Sequence, residues 1–409
     1  MPSLEEKIVS ALLKVMRNRR SSSAQDESES PLPPAAPLST VRQREVHFSD
    51  FEAVAALKRR AGLSSDSLEN WHRIWRDNAA VQFAASPLCK GWVLEADGQI
   101  VGYLGSVPLL YHLGERPLLA ATASGFAVEP AYRALSIGLL GAFYRQNNID
   151  LFLNTTAIES VGKLAAGFQA QPLPQEDYAT VLFWVLDARG FVSAVAKKFG
   201  RTDAVSIVGT ALGSLALKAK NVFHGGNHIS ASGRFKVTEI LVSEIGDDFE
   251  PLWLRKVAEK NRLLANRDPA QLRWHFTVPE DRRETRVLRC ESEGRLVGYA
   301  VVQSETDQKT GLRRCLLSDM LVEGDDPEAV RSLGAAVYDF AKTFQCHVLE
   351  VLGFPTNLRQ IFLQWKPYSR KYPACPFYFK ARDRALQGIL GAAEVWYASP
   401  FDGDTTLMP

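Results

Sequence analysis

Residues 118–138 bring together residue types that can hold an anionic ligand. Leu118 to Val128 (LLAATASGFAV) is an apolar strand rich in small side chains. It runs into Glu129–Arg133 (EPAYR) and Ala134–Gly138 (ALSIG), ahead of a helix predicted over Leu139–Gln146. Strand, tight turn and helix start in that order make an anion cradle. The first N–H groups of a helix have no partner within it, and the helix dipole adds positive potential at the same end. Ser136 and Gly138 let the backbone approach a ligand closely, and Arg133 supplies a forked cation suited to phosphate oxygens. The expected donors are the amides of Ala134, Leu135, Ser136, Ile137 and Gly138.

The elements that must position this turn follow from the next stretch. Asp150–Asn154 reads as a strand, Thr155–Ala166 as a helix and Tyr178–Leu186 as a last strand. A helix leaving the sheet beside the cradle wedges two strands apart, so their backbone groups are left for an extended, amide-bearing ligand, as in strand addition. Thr122 and Ser124 alternate on the entering strand, placed to line a substrate site or to order a proton-carrying water. Glu159, just past the splayed strand, is a candidate general base.

An internal repeat organises the chain. Residues 95–103 read EADGQIVGY and residues 291–299 read ESEGRLVGY, identical at Glu, Gly, Val, Gly and Tyr. Each copy reads as a hairpin turning on Gly98 or Gly294. Upstream, Leu68–Trp75 (LENWHRIW) resembles Leu264–Phe276 (LANRDPAQLRWHF), each expected as a helical segment. Downstream, Leu151–Thr155 matches Val348–Leu352. The expected domains are 1–42, a short amphipathic helix (residues 3–19) with a disordered linker; 43–187, the first module; 188–235, a helical connector; 236–382, the second module; and 383–409, a C-terminal tail. Strands alternating with helices predict an α/β fold.

The order of elements in the first module resembles the GNAT superfamily of acyl-CoA-dependent N-acyltransferases. VEPAYRALSIGLL resembles that family's pyrophosphate-binding signature, Arg/Gln-x-x-Gly-x-Gly/Ala, with Arg133 first, Gly138 last and Ser136 in place of the usual first Gly. LNTTAIESVGKLAAGFQ resembles the strand and helix that follow, with Asn154 and Gly167-Phe168 on its landmarks. The resemblance implies two tandem GNAT-like modules, each a mixed, mostly antiparallel sheet flanked by helices. It implies acetyl-CoA or another acyl-CoA as co-substrate, with the backbone around Val128 on the pantetheine arm and residues 134–138 on the pyrophosphate. It also implies transfer of an acetyl or other acyl group to the amine of a small molecule or amino sugar. The Tyr that the family often uses to protonate the leaving thiolate is absent. Counting back from Gly167 puts Lys163 at its position, and counting forward from Asn154 puts Val161 there.

In the second copy the cradle segment becomes Val322–Leu333 (VEGDDPEAVRSL). Asp325, Asp326 and Glu328 put negative charge where phosphates would dock, so this copy is expected to have lost CoA binding. The tandem arrangement also resembles Fem-type aminoacyltransferases, which would draw on aminoacyl-tRNA; a non-catalytic CoA-binding or interaction protein is a third reading. A formal net charge of +2 over 409 residues argues against a dedicated DNA binder, and tRNA is not expected as a partner. Five scattered cysteines form no CxxC pair and read as reduced thiols in a cytoplasmic protein. His224 and His228 in HGGNH read as a glycine-rich turn, and no metal site is expected. No apolar run is long enough to span a bilayer, Ala204–Leu217 reading as a buried helix. Residues 3–20 or 190–220 are the segments through which a weak membrane-surface contact would run.

Overall fold

The computed structural model describes residues 41–156, 159–198, 233–259, 262–277, 283–371 and 377–407. The expected N-terminal helix and linker up to residue 40, the Ala204–Leu217 helix and the His224/His228 turn lie outside the described residues. So does the rest of the connector beyond Lys198, up to residue 232.

The first half runs β1 (Arg42–Glu45), α1 (Phe51–Arg60), α2 (Leu68–Trp75), α3 (Ala79–Phe83), β2 (Gly91–Ala96), β3 (Gln99–Leu113) and β4 (Arg116–Val128). A 3-10 turn (Pro130–Leu135) leads into α4 (Ser136–Tyr144), then β5 (Leu151–Asn154), α5 (Glu159–Gly167), β6 (Gln171–Pro172), β7 (Thr180–Val185) and α6 (Ala188–Lys198). The second half repeats the order. It runs β8 (Lys236–Ile240), α7 (Phe249–Ala258), β9 (Leu263–Ala265), α8 (Pro269–Phe276), β10 (Glu284–Ser292), β11 (Arg295–Thr306) and β12 (Arg313–Val322). After a 3-10 turn (Glu323–Asp325) come α9 (Pro327–Thr343), β13 (Val348–Val351), α10 (Thr356–Leu363), β14 (Tyr368–Lys371), β15 (Tyr378–Ala381) and α11 (Arg384–Ile389).

Both repeated hairpins have the turn their sequences demand. Asp97 and Gly98 have φ of 49° and 76°, and Glu293 and Gly294 have 52° and 77°. Two consecutive positive φ values make a type I′ turn, whose twist matches that of the strands it joins. One expectation needs correction. Leu264–Phe276 is not helical throughout: Leu263–Ala265 forms a strand along the far end of β3, opposite Tyr111–Leu113, and only Pro269–Phe276 is helix, capped by Asp268.

Two sheets result, ordered β1-β2-β3-β4-β5-β15-β6, with β9 pairing β3, and β14-β7-β13-β12-β11-β10-β8. Pairing is antiparallel except for β4 with β5 and β12 with β13. These are the two mixed, mostly antiparallel, helix-flanked sheets of a tandem α/β fold. The halves exchange strands. β7 of the first half pairs with β13 and β14, and β15 of the second pairs with β5 and β6. Segments 43–187 and 236–382 therefore each complete the other's sheet.

One apolar core runs through both halves, and a second lies under α4 and α5, where Leu139, Leu140 and Phe143 meet Phe152. Arg73 donates to Trp274 O at 2.8 Å, and the Trp274 indole donates back to Arg73 O at 3.1 Å. The stretch 383–409, read from the sequence as a tail, is buried along much of its described length, including Trp396, Ser399, Asp402 and Leu407. Tyr111 donates to Asp402, and Arg73 to Leu407 O, so this segment ties the halves together. No helix among the described residues is long and apolar enough to cross a membrane. Among them, no cluster of three or more His, Cys, Asp or Glu could hold a metal ion.

Candidate active site

The central feature is where β4 leaves its neighbours. The parallel ladder to β5 covers only Ala120–Leu151, Ala121–Phe152 and Thr122–Leu153. Beyond Thr122, β4 continues to Val128 with β3 alone. The register to β3 then slips: Tyr103 faces Ala127 but Gly105 faces Ser124, leaving Gly125 and Phe126 opposite Leu104. This is a β-bulge, and Gly125 takes a φ of 64° to make it. Packing there is close, since a Cβ at Gly105 would lie 2.5 Å from the Tyr103 hydroxyl. Bulge and lost ladder together leave the edge of β4 beyond Thr122 without a second strand partner among the described residues.

Thr122 and Ser124 both sit on this strand and are buried; the Thr122 hydroxyl has no hydrogen-bond partner among the described residues. Asn154 is buried at the end of β5, opposite Tyr378 of the exchanged β15. Glu159 opens α5, and its side chain lies outside the described residues. The Gly125 bulge brings in three groups that the sequence reading missed. Lys58 of α1, buried, and Asp66, half-buried, meet at 2.6 Å, and Asn70 also donates to Asp66. Buried Tyr103 lies alongside, its phenol pushed up by burial and by the charge of Asp66. A fourth missed group is Asp404, from the C-terminal segment, which accepts hydrogen bonds from the hydroxyls of Thr155 (2.8 Å) and Thr156 (3.0 Å) at the end of β5. Gly403 comes so close to Thr155 that a Cβ would lie 2.3 Å from its hydroxyl.

The cradle lies at the top of β4. Val128 is half-buried opposite Gly102. Arg133, Ala134, Leu135, Ile137 and Gly138 are exposed, Ile137 by 54%, and Ser136 is half-buried. The turn between β4 and the helix is a 3-10 turn, and α4 starts three residues earlier than expected, at Ser136. The difference matters for the donor count. The Ser136 amide is spent on Arg133 O, and Tyr132 donates to Glu129 O. The first-turn amides that α4 itself leaves unpaired are therefore those of Ile137 and Gly138. Gly138 lies against Gln43 of β1, whose Oε1 would be 2.7 Å from an added Cβ. Arg133 has no ion pair among the described residues, whereas Arg60 and Glu129 close the base of the turn at 2.6 Å.

The corresponding corner of the second half is filled by its own side chains. Asp326 caps α9 by accepting from the amides of Glu328 (2.8 Å) and Ala329 (3.3 Å). Glu259 accepts from Gly324 N–H at 2.6 Å. Burial works against the Asp325 charge, yet Lys256 and Arg262 hold its carboxyl below the usual range. Asp319 stands three residues before the end of β12, as Gly125 does in β4. It is buried with Arg267, Tyr299 and Ser399.

No family model and no curated protein matches the chain. Solved structures do. A GCN5-related N-acetyltransferase from Anabaena variabilis has a TM-score of 0.53 at 10% identity, over 84% of this chain and 73% of that one. A conserved protein of unknown function from Enterococcus faecalis has a TM-score of 0.52 at 8% identity, with the same coverage. Saccharomyces cerevisiae N-myristoyltransferase, with bound myristoyl-CoA, has a TM-score of 0.51 at 16% identity, over 86% of this chain and 84% of that one. At such identities the likeness is one of fold, and the chain shares the overall α/β fold of these three structures.

Proposed function

We propose that the chain is an acyl-CoA-dependent N-acyltransferase with one working module, the first. The observation that carries this reading is the conjunction at β4: a ladder that stops at Thr122, a bulge at Gly125 and an exposed helix start at Ser136. These are the parts needed to hold an extended thioester with an anionic end. The backbone from Ala123 to Val128 takes the pantetheine amides. The Ile137 and Gly138 amides, the α4 dipole and Arg133 take the pyrophosphate. The solved N-acyltransferases of this fold, one with an acyl-CoA bound, support the choice of co-substrate.

The substrate amine loses a proton and attacks the thioester carbonyl. A C–N bond forms, the C–S bond breaks, and the electron pair leaves on sulfur. The protein contributes position and charge stabilisation. Asp404, fixed by two threonine hydroxyls, and Glu159 are the carboxylates from which the base is drawn; Ser124 and Thr122 order a water or line the acceptor site. The test is release of free CoA thiol from acetyl-CoA and myristoyl-CoA across a panel of amines and amino sugars. Amine-dependent release that falls on Arg133→Ala supports the reading. Tight CoA binding with no release for any amine would reduce the chain to a binding protein.

A further inference from the structure

Lys58 and Lys256 hold the same place in the two halves, each the eighth residue of its ten-residue helix (α1 and α7) and each buried. Their hydrogen bonding differs. Lys256 spends three donors, on Val322 O at 2.7 Å, Asp325 at 2.6 Å and Glu259 at 2.7 Å. Among the described residues the Lys58 ammonium makes one hydrogen bond, to Asp66. An ammonium carries three N–H donors, and leaving buried donors unspent is costly. The unspent ones lie at the bulge: a Cβ on Gly125 would be 2.6 Å from Lys58 Cε and 3.1 Å from Nζ.

We propose that Lys58 is a catalytic residue, donating to the acyl carbonyl oxygen at the Gly125 bulge; this rests on the N-acyltransferase reading. As the amine adds to the carbonyl carbon, negative charge grows on that oxygen. The Lys58 ammonium stabilises it without giving up a proton, and Asp66 stays its counter-ion. When the carbonyl re-forms, the C–S bond breaks and the electron pair leaves on sulfur. A donor of this kind in a buried site contributes about 100- to 1,000-fold to kcat.

The test uses acetyl-CoA carrying 13C at the acyl carbonyl, followed by infrared difference spectroscopy on the full chain. Bound to the wild type, the carbonyl stretch is expected to move to lower frequency. Lys58→Met is expected to abolish that shift and cut kcat by about 100-fold or more, with less than about a threefold change in acetyl-CoA affinity. Lys58→Arg, which keeps the cation and its bond to Asp66, is expected to restore part of both. A carbonyl that binds the wild type without shifting overturns the proposal, whatever the variants do. So does a folded Lys58→Met with wild-type kcat. A wild type that binds neither acetyl-CoA nor myristoyl-CoA at millimolar concentration overturns the enzyme reading, and this with it.

Discussion

The corner where α4 leaves β4 and the corner where α9 leaves β12 are built on one plan and have opposite contents. In the first, a glycine makes the bulge, an arginine with no ion pair among the described residues flanks the turn, and a buried lysine makes a single hydrogen bond among them. In the second, Asp319, Asp325, Asp326 and Glu259 answer each of those features with a carboxylate, and Lys256 and Arg267 are consumed in holding them. A helix start attracts an anion in either case. Supplying that anion from the chain itself turns a binding site into a joint. On the function proposed above, one copy meets the ligand and the other braces it.

The comparison can be broken at its stiffest point first. Arg267→Met strands Asp319 and Asp402 in the core without their cation. It should cost about 3–5 kcal/mol in denaturant unfolding while leaving acyl-CoA affinity of the folded protein unchanged. Next, Ser136→Asp copies the second corner's solution into the first. Like charges at the pyrophosphate should lower acyl-CoA affinity about 100-fold, or about 2.7 kcal/mol, with little loss of stability.

A smaller effect tests the segment between the corners. His275 is buried, stacked on Phe401 and bonded to Thr406 at 2.8 Å. Burial, with Arg73, Arg267 and Arg283 nearby, drives its pKa well below 6.5. The unfolded chain therefore binds a proton as pH falls through 6.5 while the folded chain does not. Stability is present above that pH and is lost below it, by up to about 1.4 kcal/mol per pH unit. His275→Gln should flatten the melting temperature between pH 6.5 and 5. The smallest effect is at the second corner's cap: Asp326→Ala should cost about 1 kcal/mol and create no second CoA site.

Much of this was legible in the sequence, for reasons that also mark the limit. The Asp97-Gly98 and Glu293-Gly294 turns and the strand-to-helix passage at 118–138 are local patterns, and local patterns survive in a string of letters. The acidic substitutions at 325, 326 and 328 were legible for the same reason. The strand exchange was not. β7 and β15 each come last in sequence within their own repeat, and nothing within either says that it joins the other repeat's sheet. The C-terminal stretch SPFDGDTTL reads as a polar tail because the groups that bury it, the partners of Ser399, Asp402, Asp404 and Thr406 at Asp319, Tyr111, Thr155 and His275, lie far off in the chain. Lys58 stands in the run LKRR with nothing beside it in the sequence to mark it as buried; its partner Asp66 and the bulge at Gly125 come to it only in the fold. The spent Ser136 amide was hidden because the sequence shows a tight turn but not that its 3-10 geometry runs on into the helix.

The most direct test is a calorimetric titration of the wild-type chain and of Ser136→Asp with acetyl-CoA. Two modules that have diverged as described predict one ligand per chain, and a roughly hundredfold weaker site in the variant. Two ligands per chain, no ligand at all, or one whose affinity ignores a carboxylate at position 136, would contradict the assignment of the α4 corner as the site.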